Sequence, residues 1–344
     1  MKTALTSSRV TVATEDEAQA YFYDHGWTDG LPVTAPTAER VEAMIAGSGL
    51  APGESAGMIM PGNNAATMEK IAVNAVMAGC APAYMPVVVA AVKALVQPAF
   101  NLHAIQATTN PAGPQLVING PVRKLLDINS GAGCFGPGRR ANATIGRAIR
   151  LVLVNIGGAT PGEIDKATQG WPGKFTLCFG ENEEESPWGP LHLERGFQAG
   201  DSVVTVAAAQ GSTNVTSGSR EAEDLIATIA HSMVQIGCNN FRGGRGEPML
   251  VLCPQHAKAI ADAGYTKDTL KQRLFEVGRF PLASLPPSVR QQRFGRHPEV
   301  DPVPFVREWK QIIVVVAGGP GGLHDTIFPT FGDTVATSEK IAAG

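Results

Sequence analysis

The sequence predicts an α/β fold built from two tandem related α/β units, packed about a pseudo-twofold axis and preceded by an N-terminal helical arm. Three observations predict it. The first is a set of four internal matches that keep the same order along the chain. IAVNAVMAGC (71–80) pairs with IAHSMVQIGC (229–238), and PQLVINGPVRKLL from 114 pairs with PMLVLCPQHAKAI from 248. TIGRAIRL from 144 pairs with TLKQRLFE from 269, and SVVTVAAAQGST from 202 pairs with QIIVVVAGGPGG from 311. Matches in order point to a duplicated unit more strongly than any one of them alone. The second is alternation: helical spacings follow short apolar strands that run into glycine loops, the pattern of α/β folds. The third is bulk: 344 residues, 44% of them hydrophobic, give ample core for one large domain or two smaller ones.

The elements follow in order. Residues 1–64 read as the helical arm: an acidic helix start at EDEAQAYFYDHGW, the turn TDGLPVTAPT, and a second helix, AERVEAMIAGSG, capped by Thr37. His25, Trp27 and Asp29 on the turn read as a docking knuckle. The first unit, 65–216, opens with a helix over 66–79 whose apolar spacing runs through Met68, Ile71, Ala72, Ala75 and Val76 and stops at Gly79-Cys80. NLHAIQATTNPAG (101–113) reads as polar positions alternating on a short strand, a pocket wall built from His103, Gln106, Thr108 and Asn110, before the strand QLVIN. The second unit, 220–344, carries the polar loop GCNNFRGGRGEP, with Cys238 and two arginines, Arg242 and Arg245.

The two units differ where a site is expected. NSGAGCFGPGRRANATIGRAIR (129–150) sets Cys134 among Gly131, Gly133, Gly136 and Gly138, then leads into a helix that Asn142 or Thr144 can cap. Helix N-termini stabilise thiolates and anions, which makes Cys134 the first candidate nucleophile. The second unit has no such loop, and it also lacks the segment 157–199. There, CFGENEEESPWGPLHLER gathers Glu181, Glu183 and His192, with Glu181 or Glu183 as general acid or base and His192 as proton carrier. His103 and His324 are the other candidate bases, His324 if the packing of the units brings its loop to Cys134. Arg139, Arg140 and Arg242 are the candidate grips on an acidic group.

Other chemistries leave little trace. The formal charge of −3 and the lack of a basic stripe argue against a nucleic-acid partner. No apolar run reaches 18 residues and no signal-type start is present, so the chain reads as cytoplasmic with no membrane partner. Five cysteines without a CxxC pair exclude a disulfide framework and a thioredoxin-type motif. No HExxH or EF-hand spacing appears, and no cofactor is expected; a divalent metal held by distant residues such as His103, Cys134 and His192 stays open. A homo-oligomer is expected on general grounds.

The motifs DGLPVTAPT (29–37), KIAVNAVMAGC (70–80), INSGAGCFGPGRRANATIGRA (128–148) and ENEEESPWGPLHLERGF (181–197) resemble those of a bacterial family without an assigned function. Its members carry thiol-disulfide or thioredoxin-like labels and accompany UGSC-type selenoproteins; the resemblance implies cysteine chemistry and no particular residue. The expected function is a cysteine-dependent hydrolase or lyase acting on a small polar or anionic metabolite in a cleft between the units. A metal-dependent hydrolase or lyase and a non-catalytic ligand-binding or partner subunit are the alternatives.

Overall fold

The computed structural model describes residues 5–241, 244–294 and 301–342. The chain is mixed α/β. Two helices open the chain, α1 (Glu15–Asp24) and α2 (Ala38–Ala46), capped by the hydroxyls of Thr14 and Thr37. The turn between them docks on the body through a bidentate ion pair at 2.8 Å between Asp29 and Arg147. A short hairpin, β1 (Ser55–Ile59) and β2 (Asn64–Thr67), then leads into α3 (Met68–Ala78), which Thr67 caps and Gly79 ends at φ 88°.

The body follows as α4 (Met85–Leu95), α5 (Leu102–Gln106), β3 (Gly113–Asn119), α6 (Val122–Leu125), α7 (Arg140–Asn155), β4 (Cys178–Gly180), α8 (Leu191–Glu194), β5 (Val203–Ala209) and β6 (Thr213–Thr216). It continues with α9 (Ala222–Met233), β7 (Met249–Leu252), α10 (Pro254–Asp262), α11 (Lys267–Val277), β8 (Arg279–Phe280), α12 (Pro287–Phe294), β9 (Val303–Pro304), β10 (Ile313–Val316), β11 (His324–Phe328) and β12 (Thr337–Lys340). Residues 102–106 are thus a helix, not the predicted strand. A five-residue segment is too short for its periodicity to separate the two.

Two four-stranded sheets carry the fold, in the orders β12-β5-β3-β4 and β10-β7-β11-β6. In the first, β3 pairs in parallel with β4 and antiparallel with β5, and β5 pairs antiparallel with β12. In the second, β7 pairs in parallel with β10 and antiparallel with β11, and β11 pairs antiparallel with β6. The edge strands are exchanged: β6 follows β5 in the chain but joins the second sheet, and β12 follows β11 but joins the first. Residues 203–216 and 324–340 therefore run beside each other as one antiparallel ribbon, from Thr216 opposite His324, through the bridge of Ala209 to Thr330, to Val203 opposite Lys340. β10 lies parallel beside β7 as β4 lies parallel beside β3, whereas β5 lies antiparallel beside β3.

Strand alternation sorts the core into three layers. Leu116, Ile118, Val204, Val206 and Ala208 face α3, α4 and α7. Leu250, Leu252, Val314 and Val316 face the cluster of α9, α10 and α11. The opposite faces, Val117, Phe179, Ala207, Met249, Val251, Val315 and Phe328, meet each other between the sheets. The layers are helix, sheet, sheet, helix. Phe179 is fully buried in the middle layer, so Phe179→Ala is expected to lower unfolding free energy by about 3–5 kcal/mol in chemical denaturation.

Candidate functional site

The glycine loop at 129–139 is held by the side chains of Asn129 and Asn142, the first accepting the Gly131 N–H and donating to the Ala132 carbonyl, both at 2.9 Å. Asn142 accepts the Asn129 N–H at 2.8 Å and donates to the carbonyls of Asn129 and Cys134 at 3.0 and 3.2 Å. Asn142 therefore ties the loop down rather than capping the helix; α7 starts behind Arg139 with no side-chain cap. The loop reaches across to the second sheet, where the Ser130 carbonyl accepts the Gly318 N–H at 2.9 Å. Contact is close enough that a Cβ on Gly319 would lie 2.6 Å from that of Ala132.

Cys134 is buried in the layer between the sheets. Burial pushes its thiol up to about 11, against the backbone N–H groups of Cys134 and Phe135, which favour the thiolate. Among the described residues no hydrogen bond links a histidine to its sulfur. At neutral pH this is a protonated, unassisted thiol.

A second cysteine faces the same loop. Cys134 and Cys253 both line a cavity of about 260 Å³, together with Gly133, Gly319, His324 and Thr326. Cys253 stands at the N-cap of α10, with Pro254 in the first helical position. Behind it, His256 Nδ1 lies 2.7 Å from the Asp325 carboxylate, whose other oxygen accepts the Cys253 N–H at 2.9 Å. Among the described residues, Cys253, His256 and Asp325 offer ligand atoms that all fall within 4.8 Å of one another. All three are buried, and of the three Cys253 lines the cavity. The Asp325 carboxylate, seconded by the Cys253 sulfur, outweighs burial and lifts His256 to about 10. The imidazole is accordingly a cation at neutral pH. Two residues before Asp325, Leu323 takes φ 73°, a strained conformation for a branched side chain of the sort found at functional sites.

Compared with protein-family models, with curated proteins and with solved structures, the chain matches none.

The expected residues divide. Segments 129–135 and 178–182 do meet, through the Gly180 N–H to the Asn129 carbonyl at 3.0 Å and a T-shaped contact of Phe135 with Phe179. The acids beyond are spent elsewhere. Glu181, fully buried, accepts from Asn119 and from the Leu191 N–H, both at 2.7 Å, and lies 3.5 Å from Lys267. Glu183 pairs with Arg123 at 2.8 Å. Glu194 pairs with Lys267 and Lys271, so Glu181 and Glu194 form an ion-paired seam to α11. His192 is buried beside this seam with neither ring nitrogen bonded. His103 is exposed on α5. Neither histidine lines a cavity at Cys134. His324 does line the cavity with Cys134, its Nδ1 near Asn214 and Thr216 at 3.2 and 3.3 Å.

The candidate substrate grips mostly serve the fold. Arg139 pairs with Asp127 at 2.9 Å and Arg140 Nε donates to the Gly79 carbonyl. Thr108 and Asn110 shape their own turn, and Asn110 reaches Gln210 at 2.9 Å; Gln106 is buried beneath them. Cys238 lies in the helix-side core of the second sheet. Arg242 lies outside the described residues.

Cys253, His256 and Asp325 escaped the sequence reading, although a signal was present. The apolar strand MLVL ends on Cys-Pro-x-His, which puts a cysteine at a helix start and a histidine one turn on. Asp325 is 69 residues from His256 and only the β7–β11 pairing brings it in.

His256 should hold its proton until about pH 10 in an NMR titration, and Asp325→Asn should move that midpoint down toward the free value of about 6.5. Because the folded value is the higher one, the stability His256 contributes is complete below about 6.5 and lost as pH rises through about 10.

Proposed function

We propose that this chain is a cysteine-dependent hydrolase or lyase whose nucleophile is Cys253, working on a small metabolite in the cleft where the glycine loop of the first unit meets the second. One observation carries the reading: the Cys253 thiol opens into the cavity with its sulfur within 4.8 Å of the His256 ring, whose Nδ1 Asp325 holds, which sets nucleophile, proton carrier and orienter side by side. A cationic imidazole beside a thiol at a helix N-terminus is the environment in which thiolates form. Cys134 has the cavity without the base, which is why the nucleophile is assigned to Cys253.

In the acyl-transfer case, the Cys253 sulfur bonds to a carbonyl carbon and the C=O π pair moves onto oxygen. The first turn of α10 leaves the N–H groups of Gln255 and His256 without intrahelical partners, at the end where this charge develops. His256 gives its proton to the leaving group as the bond to it breaks. Water then attacks the thioester, His256 takes the proton from the water, and the thiolate returns. Asp325 keeps the ring oriented throughout. Thiol labels in the family that the chain resembles agree with this chemistry.

We also infer that the two sheets are copies of one unit related by a pseudo-twofold axis. The pairing sense agrees strand for strand, β3 with β7, β4 with β10 and β5 with β11. Asn119 then occupies the place of Cys253, which leaves one reactive centre in a duplicated scaffold.

The same donor set supports a second reading, a metal-dependent enzyme, since a carboxylate on Nδ1 is how metal-bound histidines are commonly oriented. The two readings part on simple measurements. On a panel of p-nitrophenyl esters and thioesters, Cys253→Ser is expected to remove turnover by at least about a hundredfold with the fold intact, while Cys134→Ser retains it. Elemental analysis is expected to find no stoichiometric metal; one zinc per chain that disappears in Cys253→Ser would favour the metal enzyme instead.

A further inference from the structure

The cavity at Cys253 does not end at Cys134. The Cys134, Phe135 and Gly136 stretch also borders a second, larger cleft of about 480 Å³ on its other side. The two differ in chemistry. Around Cys253 the walls are mostly glycine and other small residues, with Phe135 and His324 the large side chains, suited to a compact reacting group. The larger cleft is walled by Phe135, Pro137, Trp171, Pro172, Leu177 and Phe328, and no charged residue lines it.

Two of the polar side chains in that wall are already committed, while the buried Trp171 Nε1 has no hydrogen-bond partner among the described residues and would favour a neutral acceptor. Asn142 spends its amide on the glycine loop, and Thr176 donates its hydroxyl to the Ala143 carbonyl at 2.8 Å. An anion or a cation entering the cleft would therefore find no counter-charge. The aromatic walls instead already meet edge to face, Phe135 on Phe328 with ring centres 5.3 Å apart and Trp171 on Phe328 at 6.4 Å, which is the packing that a further ring can join. Phe135 is only partly covered, at 39% exposed, so its ring has surface left to bury.

We propose that the substrate carries a neutral aromatic group that occupies this cleft while its electrophilic carbon lies at Cys253. The inference rests on the assignment of Cys253 as nucleophile and names the substrate class for it: an aryl- or aralkyl-substituted compound with a compact reacting end. Phe135 is then a specificity-determining residue, the partition over which the substrate lies.

The test compares chloroacetamide with N-benzyl chloroacetamide on the full chain, with labelling at each cysteine followed by peptide mass mapping. In both, the Cys253 thiolate displaces chloride, so only the ring differs. The benzyl reagent is expected to label Cys253 with saturation and about tenfold faster or more, the advantage of burying one phenyl ring. Ala143→Trp, which fills the cleft from the α7 side, should bring the ratio of the two rates to near one. A ratio near one in the natural chain overturns the inference. If Cys253 reacts with neither reagent, the nucleophile assignment fails separately, and the cleft is then judged by ¹⁹F NMR of N-(4-fluorobenzyl)acetamide. Line broadening in the natural chain that Ala143→Trp abolishes upholds the aromatic subsite; no broadening in the natural chain overturns it.

Discussion

The antiparallel pairing of residues 203–216 with 324–340 is the constraint on which the rest depends. Each strand of this ribbon lies within one sheet along part of its length and at the edge of the other along the rest, so neither sheet is complete without the other unit's chain. The crossover is fastened at Thr330, whose N–H is accepted by the buried Asn240 Oδ1 at 2.7 Å. Exchange of this kind makes the two halves one cooperative body rather than two docked domains, and it fixes the separation of the sheets that the middle layer fills.

The ribbon also sets the chemistry. β11 enters the second sheet at His324, and one residue later Asp325 turns inward against the start of α10. A carboxylate this deep is tolerated because both oxygens are bonded, one to the Cys253 N–H and one to His256. The same two bonds fix the Cys253 backbone and the imidazole relative to each other. Three residues on, Phe328 lies between the sheets and presents its ring to Phe135 and Trp171. One five-residue strand thus supplies the orienting acid at one end and an aromatic wall at the other.

Much of the local structure was legible in the sequence. Thr37 and Gly79 mark helix ends by their capping chemistry, and QLVIN is a strand because its apolar run is short and bounded. The glycine loop was legible as a feature, and its meeting with residues 178–182 followed from the asymmetry between the units. What failed did so where the decisive contact is long-range. The partners of the glutamates of 181–194 are invisible in sequence because they come from other elements, Arg123 for Glu183 and Lys267 and Lys271 for Glu181 and Glu194. Cys253 looked like any buried cysteine because its acid arrives from a strand far along the chain.

Whether the imidazolium activates the thiol is most directly measured by the pH profile of Cys253 alkylation with iodoacetamide, in the natural chain and in His256→Ala. If His256 activates Cys253, the natural chain should be alkylated at Cys253 well ahead of Cys134, whose thiol burial pushes up to about 11, and His256→Ala should lose that lead. A Cys253 that reacts no faster than Cys134 between about pH 6 and 8, with His256→Ala indistinguishable from the natural chain, would contradict it.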